Sequence, residues 1–227
     1  MTQRLLAAAL SILLISGVAA LPLPAQEGDS YLSWGAKQAK EIGKSMRVTG
    51  RVGGGQGLIS TDRAINYKLR ATWLTPEVIR ATARLSQIAS RLTDDQARAL
   101  VAEAEASGQT VVMVEIDPNE GSGVIPLDWQ AFLQPKWLKV GQPGAIAGLK
   151  TQTLSKVKAL SGVMERDYSY DIFWIVFPLV SERGEPIFSE SAREAELVAR
   201  IYGKEGKVSW LIPDSIRKRI NELAKKQ

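Results

Sequence analysis

The stretch YDIFWIVFPLV at residues 170–180 is the most apolar part of the chain after its N-terminal segment. It is rich in aromatic and β-branched residues, and it is too short to cross a membrane as a helix. A continuous apolar run of this length is typical of a strand that is buried on both faces of a sheet. We therefore predict a buried strand here and place the other elements around it.

Two segments on the N-terminal side also predict strands. Residues 110–116 (TVVMVEI) form a β-branched run that ends in a turn sequence, and residues 64–74 place apolar side chains at alternate positions. Alternation with a period of two is the pattern of a strand with one face buried. We expect both segments to be strands.

The C-terminal side contains an ambiguous segment. Residues 192–202 fit either a helix or a strand, because their alanines suit a helix whereas Leu197 and Ile201 belong to an alternating pattern. We favour a hairpin that pairs 196–202 with 207–212. In this interpretation GKEGK at 203–207 is a three-residue loop that holds Gly206 in the left-handed conformation.

A pair of helices is indicated by its end signals. Thr75 is a good N-cap and Pro76 suits the first helical turn, so one helix begins there. Thr93 opens a second helix, and Gln96 stands three residues later at the spacing of a capping box. Gly108 is the natural end of the second helix.

Other helices have weaker signals. Pro213-Asp214 begins a C-terminal helix with an apolar stripe and five basic residues, and partial periodicity predicts helices over 31–46, 128–133 and 151–165. The predicted fold class is therefore α+β. It has a helical pair in the first half, an antiparallel β-meander in the second half and an amphipathic C-terminal helix.

The N-terminal segment predicts export. Arg4 precedes an apolar stretch, and small residues follow it, so residues 1–25 match a signal peptide that is cleaved after Ala20 or Ala25. The alternative is an uncleaved membrane anchor, because residues 5–25 carry no charge. We expect a secreted or periplasmic protein in which residues 26–227 form a single α+β domain, with a sub-boundary possible in the Pro/Gly-rich stretch 117–150.

Composition removes several kinds of chemistry. The 227 residues include neither cysteine nor histidine, so disulfides, thiolate catalysis, Ser–His catalysis and the common zinc sites are excluded. The net charge of +5 is spread along the chain, which together with export argues against nucleic acid as a partner. Contact with a membrane is expected to be at most peripheral, through the basic face of the C-terminal helix. The sequence does not indicate an oligomeric state.

Several short patterns resemble functional motifs but lack essential parts. The glycine-rich stretch 50–57 has no Gly-Lys-Ser/Thr sequence after it and is interpreted as a loop. Asp117, Asn119 and Glu120 do not have the spacing of a calcium loop and are interpreted as a turn. Ser155 to Lys158 matches Ser-x-x-Lys, but this chain has neither of the partner motifs of such enzymes. We predict no catalytic residue, no metal ligand and no cofactor from these patterns.

Three hypotheses for function remain. The leading one is a non-enzymatic exported domain that binds a protein or a component of the cell envelope. One alternative is a hydrolase of envelope polymers that uses Ser and Lys or the carboxylates Glu165, Asp167 and Asp171. Another is a carbohydrate-binding module, in which Trp129 and Trp137, within a Pro/Gly-rich stretch, contact the ligand.

Overall fold

One antiparallel sheet organises the chain. The computed structural model describes residues 27–53, 66–118, 124–138, 144–163, 170–181 and 183–225. Within these residues the sheet has nine strands, and four α-helices accompany it. Contacts divide the chain into two units, Met1–Ser30 and Tyr31–Gln227, and the sheet and the α-helices belong to the second.

The bounds of the elements are as follows. The strands are β1 (Arg47–Val52), β2 (Tyr67–Trp73), β3 (Thr110–Pro118), β4 (Gln130–Pro135), β5 (Ile146–Ala147), β6 (Leu149–Thr151), β7 (Asp171–Phe177), β8 (Glu194–Ile201) and β9 (Lys204–Leu211). The α-helices are α1 (Ala36–Lys44), α2 (Pro76–Ser90), α3 (Asp94–Glu105) and α4 (Asp214–Ala224). Short 3-10 helices lie at Glu27–Ser33, Thr153–Lys156 and Lys158–Leu160.

The sheet curls until it is nearly closed. Its strand order is β5-β4-β8-β9-β1-β2-β3-β7-β6, so the two outermost strands are β5 and β6, which only Gly148 separates in sequence. The Gly148 N–H donates to the Ala131 carbonyl at 2.9 Å. A Cβ atom at position 148 would lie 2.3 Å from a methyl group of Ile175, so the closing segment needs glycine here. The result is a barrel-like sheet with an inner and an outer face.

The inner face carries the main core. Alternate residues of each strand point inward, and they include Leu69, Trp73, Val112, Phe177 and Leu197, all 1% exposed or less. These side chains fill the space that the curled sheet encloses. The alternation predicted for 64–74 is therefore confirmed over Tyr67–Trp73, and its apolar side faces inward; residues 64 and 65 lie outside the described residues.

The outer face of β3 and β7 is also buried. Val111, Met113 and Trp174 point outward and pack with apolar residues of α2 and α3, such as Val78 and Val101. Burial on both faces explains why the sequences of these two strands are almost continuously apolar. The predictions of strands in 110–116 and 170–180 are confirmed.

Helix α4 lies against one end of the sheet. Its Ile216 and Ile220 join the inner core, and its Arg219 donates to the Glu105 and Gly108 carbonyls at 3.0 and 2.9 Å, just before β3 begins. We call this end of the sheet, where β2 finishes and β3 starts, the helix end. The opposite end, where β7 starts and β6 finishes, is called the distal end.

The predicted helical pair is present as α2 and α3. The Thr75 side chain accepts a hydrogen bond from the Val78 N–H, and Pro76 is the first residue of α2. Thr93 and Gln96 form the reciprocal contacts of a capping box at the start of α3. The C-terminal helix, which begins at Asp214, is also confirmed.

Three predicted helices are wrong in part or entirely. Residues 31–46 divide into a 3-10 helix and α1, because Gly35 is extended and interrupts the helix. Residues 128–133 lie largely in strand β4, which pairs with β5 and β8. Residues 151–165 contain two 3-10 helices rather than an α-helix. In the last two cases, contacts with distant parts of the chain override weak local helix signals.

The hairpin of β8 and β9 is confirmed, but its loop is not the predicted one. The loop has two residues, Tyr202 and Gly203, and both have positive φ, at 49° and 75°. Gly206 lies inside β9, where it pairs with Ala199 and with Val52 of β1. A Cβ atom on Gly206 would lie 2.5 Å from the Arg51 carbonyl oxygen, so this glycine permits close packing of strands and does not form a turn.

The α+β class is confirmed, whereas the predicted division into a helical half and a β-meander is not. Strands β1, β2 and β3 from the first half form a single sheet with the strands of the second half. In the part of the chain that the structure describes, none of the helices has both the length and the apolar character that crossing a membrane requires.

Candidate functional site

A pocket of about 550 Å³ opens at the distal end of the sheet. It lies between the segment that precedes β4, the end of β6 and the start of β7. Its wall is mostly apolar and includes Ile125, Leu127 and Phe173. Two charged residues also line it, Lys150 with a positive charge and Asp171 with a negative charge. A mostly apolar cleft with a few polar groups is the usual character of a ligand site.

Trp129 contributes to the wall of this pocket. The side chain is 2% exposed and meets the ring of Phe173 edge to face, with 5.0 Å between the ring centroids. Its indole Nε1–H is buried and has no acceptor in the described parts of the chain. A buried donor without an acceptor is uncommon in folded proteins.

Lys150 covers the same tryptophan. Its Nζ lies 4.9 Å from the centroid of the Trp129 ring and donates to the carbonyls of Leu127, at 2.8 Å, and Trp129. These contacts use two of the three ammonium N–H groups, and no third acceptor is found among the described residues. Burial lowers the pKa of Lys150, and the negative charge of Asp128 partly opposes this effect.

Backbone carbonyls fix the segment that carries Trp129. The Tyr67 hydroxyl donates to the Val124 carbonyl at 3.5 Å, and the Trp129 N–H donates to the Pro126 carbonyl at 3.4 Å. Burial is the main cause that raises the pKa of Tyr67, and the nearby Tyr202 raises it further. The hydroxyl of Tyr67 therefore keeps its proton and remains a donor. The segment is thus tied to β2 and β6, yet the side chain of Leu127 remains 97% exposed.

Asp171 stands at the other side of the pocket. It is the first residue of β7, and it is exposed. Because side chains alternate along a strand, Asp171 is on the same inner face of the sheet as Phe173 and Ile175. Lys150 pairs with Ile175, so the backbone positions of the two charged residues are separated by roughly 13 Å along the strand direction, at about 3.3 Å per residue. The pocket therefore has a cationic side and an anionic side.

The structure does not bring the two predicted ligand-contact tryptophans together. Trp129 precedes β4 at the distal end, whereas Trp137 follows β4 in a turn near the helix end and is 71% exposed. Of the three predicted carboxylates, Asp171 lines the pocket, and Glu165 and Asp167 lie outside the described residues.

The weaker motifs have structural roles where they are described. The Ser155 hydroxyl donates to the Gln152 carbonyl at 2.6 Å within a 3-10 turn, and Asp117 forms an ion pair with Lys68 at 3.2 Å. The loop and turn interpretations are wrong for two described parts, because Gly50 to Val52 belong to β1 and Asp117 belongs to β3. Residues 54–57, Asn119 and Glu120 lie outside the described residues. No group of three acidic side chains that could hold a metal ion occurs in the described ranges.

The sequence patterns considered above did not include a second Ser-x-x-Lys sequence, at Ser215 to Lys218. Ser215 and Lys218 at the start of α4 line a charged pocket of about 760 Å³ at the helix end. The Ser215 hydroxyl donates to a carboxylate oxygen of Glu77 at 2.9 Å, and Arg80 pairs with Glu105 at 3.6 Å. The pattern SIRK directly after a predicted helix start could have identified this cluster. Its polar groups mainly join α4 to α2 and α3.

No sequence pattern identified Lys150, the central cation of the distal pocket, as a candidate site residue. Its carbonyl partners are more than twenty residues earlier in the chain, so no local spacing indicates the contact. Only the fold brings these groups together. No protein-family model, curated protein or solved structure matches this chain.

Proposed function

We propose that this protein is a non-enzymatic binding module whose binding site is the distal pocket. The observation that carries the proposal is the third N–H of Lys150, which has no acceptor among the described residues and lies at a pocket with apolar wall residues. A ligand that supplies an acceptor oxygen to this group and covers Leu127 would gain both a hydrogen bond and apolar contact.

The proposal includes export of the protein and a partner that is a protein or a component of the cell envelope. Support comes from Arg4, the apolar stretch that follows it and the small residues before Ala20 and Ala25. N-terminal sequencing of protein recovered from an exporting host should begin at Leu21 or Gln26. Recovery of the intact N-terminus from the membrane fraction would instead identify an anchor.

The binding site is tested by NMR titration of the ¹⁵N-labelled protein with a panel of small carboxylates, short peptides and monosaccharides. We expect one class to shift the Trp129 indole N–H and the amides of Leu127 and Lys150. Lys150→Met should weaken this binding. Lys136→Met is the matched control, because Lys136 is exposed, pairs with Glu194 and lies beyond the other end of β4.

The outcome decides between the hypotheses. A response to monosaccharides centred on Trp137 would favour the carbohydrate-binding alternative and contradict the assignment to the distal pocket. The absence of a response at Trp129, Leu127 and Lys150 to every member of the panel would overturn the proposal.

A further inference from the structure

We infer that the distal pocket binds a short apolar peptide with free ends, whose carboxylate meets Lys150 and whose ammonium meets Asp171. This inference rests on the proposed function and specifies its ligand. It follows from the donor, the charges and the apolar wall of the pocket, which are taken in turn.

The carboxylate end is argued from Lys150, which lines the pocket. The third N–H of its ammonium lacks an acceptor among the described residues. A carboxylate oxygen of the ligand can accept from this N–H. A hydrogen bond between ionised groups is about twice as strong as one between neutral groups.

The ammonium end is argued from Asp171 and the charge balance. Asp171 is exposed at the pocket, and no ion pair of its carboxylate is found among the described residues. The described lining of the pocket carries one lysine and one aspartate. A molecule with one positive and one negative end matches both charges, whereas a simple anion leaves Asp171 without a partner. The charge pattern therefore favours a peptide over a fatty acid.

The length of the peptide follows from the separation of the charges. The backbone positions of Lys150 and Asp171 are about 13 Å apart along the strand direction, which is the upper range that a bound peptide has to span. An extended peptide spans at most about 3.3–3.6 Å per residue, so two or three residues fit. The volume of about 550 Å³ is in the range of small-molecule sites.

The apolar wall indicates the side chains of the peptide. Ile125, Leu127 and Phe173 line the space between the two charged groups. Leu127 is 97% exposed, so an apolar side chain placed on it would remove apolar surface of both partners from water. Leucine-like side chains therefore suit this wall better than polar ones.

The test compares three probes by isothermal titration calorimetry: the dipeptide Leu-Leu, its N-acetyl form and its C-terminal amide. We expect Leu-Leu to bind, and each blocked form to bind at least about tenfold more weakly, because each loses a hydrogen bond between charged groups. This comparison uses the unaltered protein, so it does not depend on the folding of a variant.

Variants then assign each end of the peptide. Asp171→Asn should remove the preference for the free amine over the acetylated form but keep the preference for the free acid over the amide. Lys150→Met should remove the preference for the free acid over the amide but keep the preference for the free amine over the acetylated form. Asp95→Asn, at an exposed carboxylate on α3, is the control and should change neither preference.

The failure of this inference can be distinguished from that of the proposed function. If the blocked forms bind as tightly as Leu-Leu, or if Leu-Leu does not bind while another class shifts the Trp129 indole, the peptide assignment is overturned and the pocket remains a binding site. If nothing in the wider panel affects the pocket, both proposals fail.

Discussion

At the scale of single residues, Lys150 is the most informative group in the molecule. Its ammonium joins the segment before β4 to strand β6 through two carbonyls and lies over the ring of Trp129. Contacts of this kind hold the pocket wall in place before any ligand arrives. A preformed site loses less conformational entropy on binding than a site that must be ordered by its ligand.

The titration of Lys150 provides the first prediction. Burial lowers its pKa below the 10.5 of an unperturbed lysine, and Asp128 raises it. Between the two pKa values the unfolded chain binds more protons than the folded one, so this group makes stability rise with pH there. We expect an NMR titration of the Lys150 side chain to have its midpoint below 10.5, and Asp128→Asn to lower it further.

Two observations would contradict this prediction. One is a midpoint at or above 10.5 in the folded protein. The other is a rise in the Lys150 pKa after Asp128→Asn, because removal of a nearby negative charge must disfavour the ammonium. Lys150→Met gives the matching control for stability, since it should abolish the part of the pH dependence that this group causes.

The sequence predicted the candidate site only in fragments. Trp129 was identified because it lies in a Pro/Gly-rich stretch, and Asp171 was identified within an acidic cluster. Neither signal connects them, because their meeting depends on how β4 and β7 are placed in the closed sheet. Lys150 has no local signal at all, since both of its acceptors are backbone carbonyls of a distant segment.

At the scale of elements, strong local signals at helix starts were sufficient to locate the helices. Thr75, Pro76, Thr93 and Gln96 located the starts of α2 and α3 because a cap acts within one helical turn. Residues 128–133 show the opposite case. Their sequence allows a helix, but the ladder with Ala195–Arg200 satisfies the backbone of β4 and decides its conformation.

The loop between β8 and β9 gives the second prediction. Positive φ at both Tyr202 and Gly203 makes it the two-residue type I′ turn, in which tyrosine is disfavoured. Tyr202→Asn should stabilise the protein by about 1 kcal/mol, because asparagine tolerates the left-handed conformation better. Chemical denaturation followed by circular dichroism measures the change.

Tyr202→Phe is the matched control for this prediction. It keeps the ring and the left-handed backbone, so it should leave stability nearly unchanged. Tyr202 is 54% exposed, and the loss of its ring therefore removes little packing. If Tyr202→Asn were neutral or destabilising, the type I′ turn would not be the reason for the backbone conformation at this position.

At the scale of the whole molecule, closure of the sheet determines what the sequence could not reveal. The pairing of β4 with β8 and of β1 with β9 joins segments that are far apart in the chain. Hydrophobic patterning predicts that a strand exists and which face is apolar, but it does not choose the partner or the register. This is why the strands with clear patterns, such as β2, β3 and β7, were predicted, whereas β4 and the common sheet were not.

Gly148 gives the third prediction, because it joins the two outermost strands. A Cβ at this position would lie 2.3 Å from Ile175 and 2.5 Å from the ring of Phe177, both in the inner core. Gly148→Ala should therefore lower the free energy of unfolding by about 1–3 kcal/mol, the usual cost of overpacking. Urea denaturation measures the loss.

Gly35→Ala is the control for the closing segment. A Cβ at Gly35 meets nothing within 4 Å, so the same change there causes no overpacking and should cost at most about 1 kcal/mol, since alanine is a poorer N-cap of α1 than glycine. Equal stabilities of the two variants would mean that the backbone at position 148 does not approach the core as closely as described.

The pairing of Val52 with Gly206 has a consequence for how the protein acquires its fold. The seam between β1 and β9 unites the first strand of the sheet in chain order with the last one. The central part of the sheet is therefore complete only after the two extremes of the strand sequence have met, and such long-range contacts make folding slow.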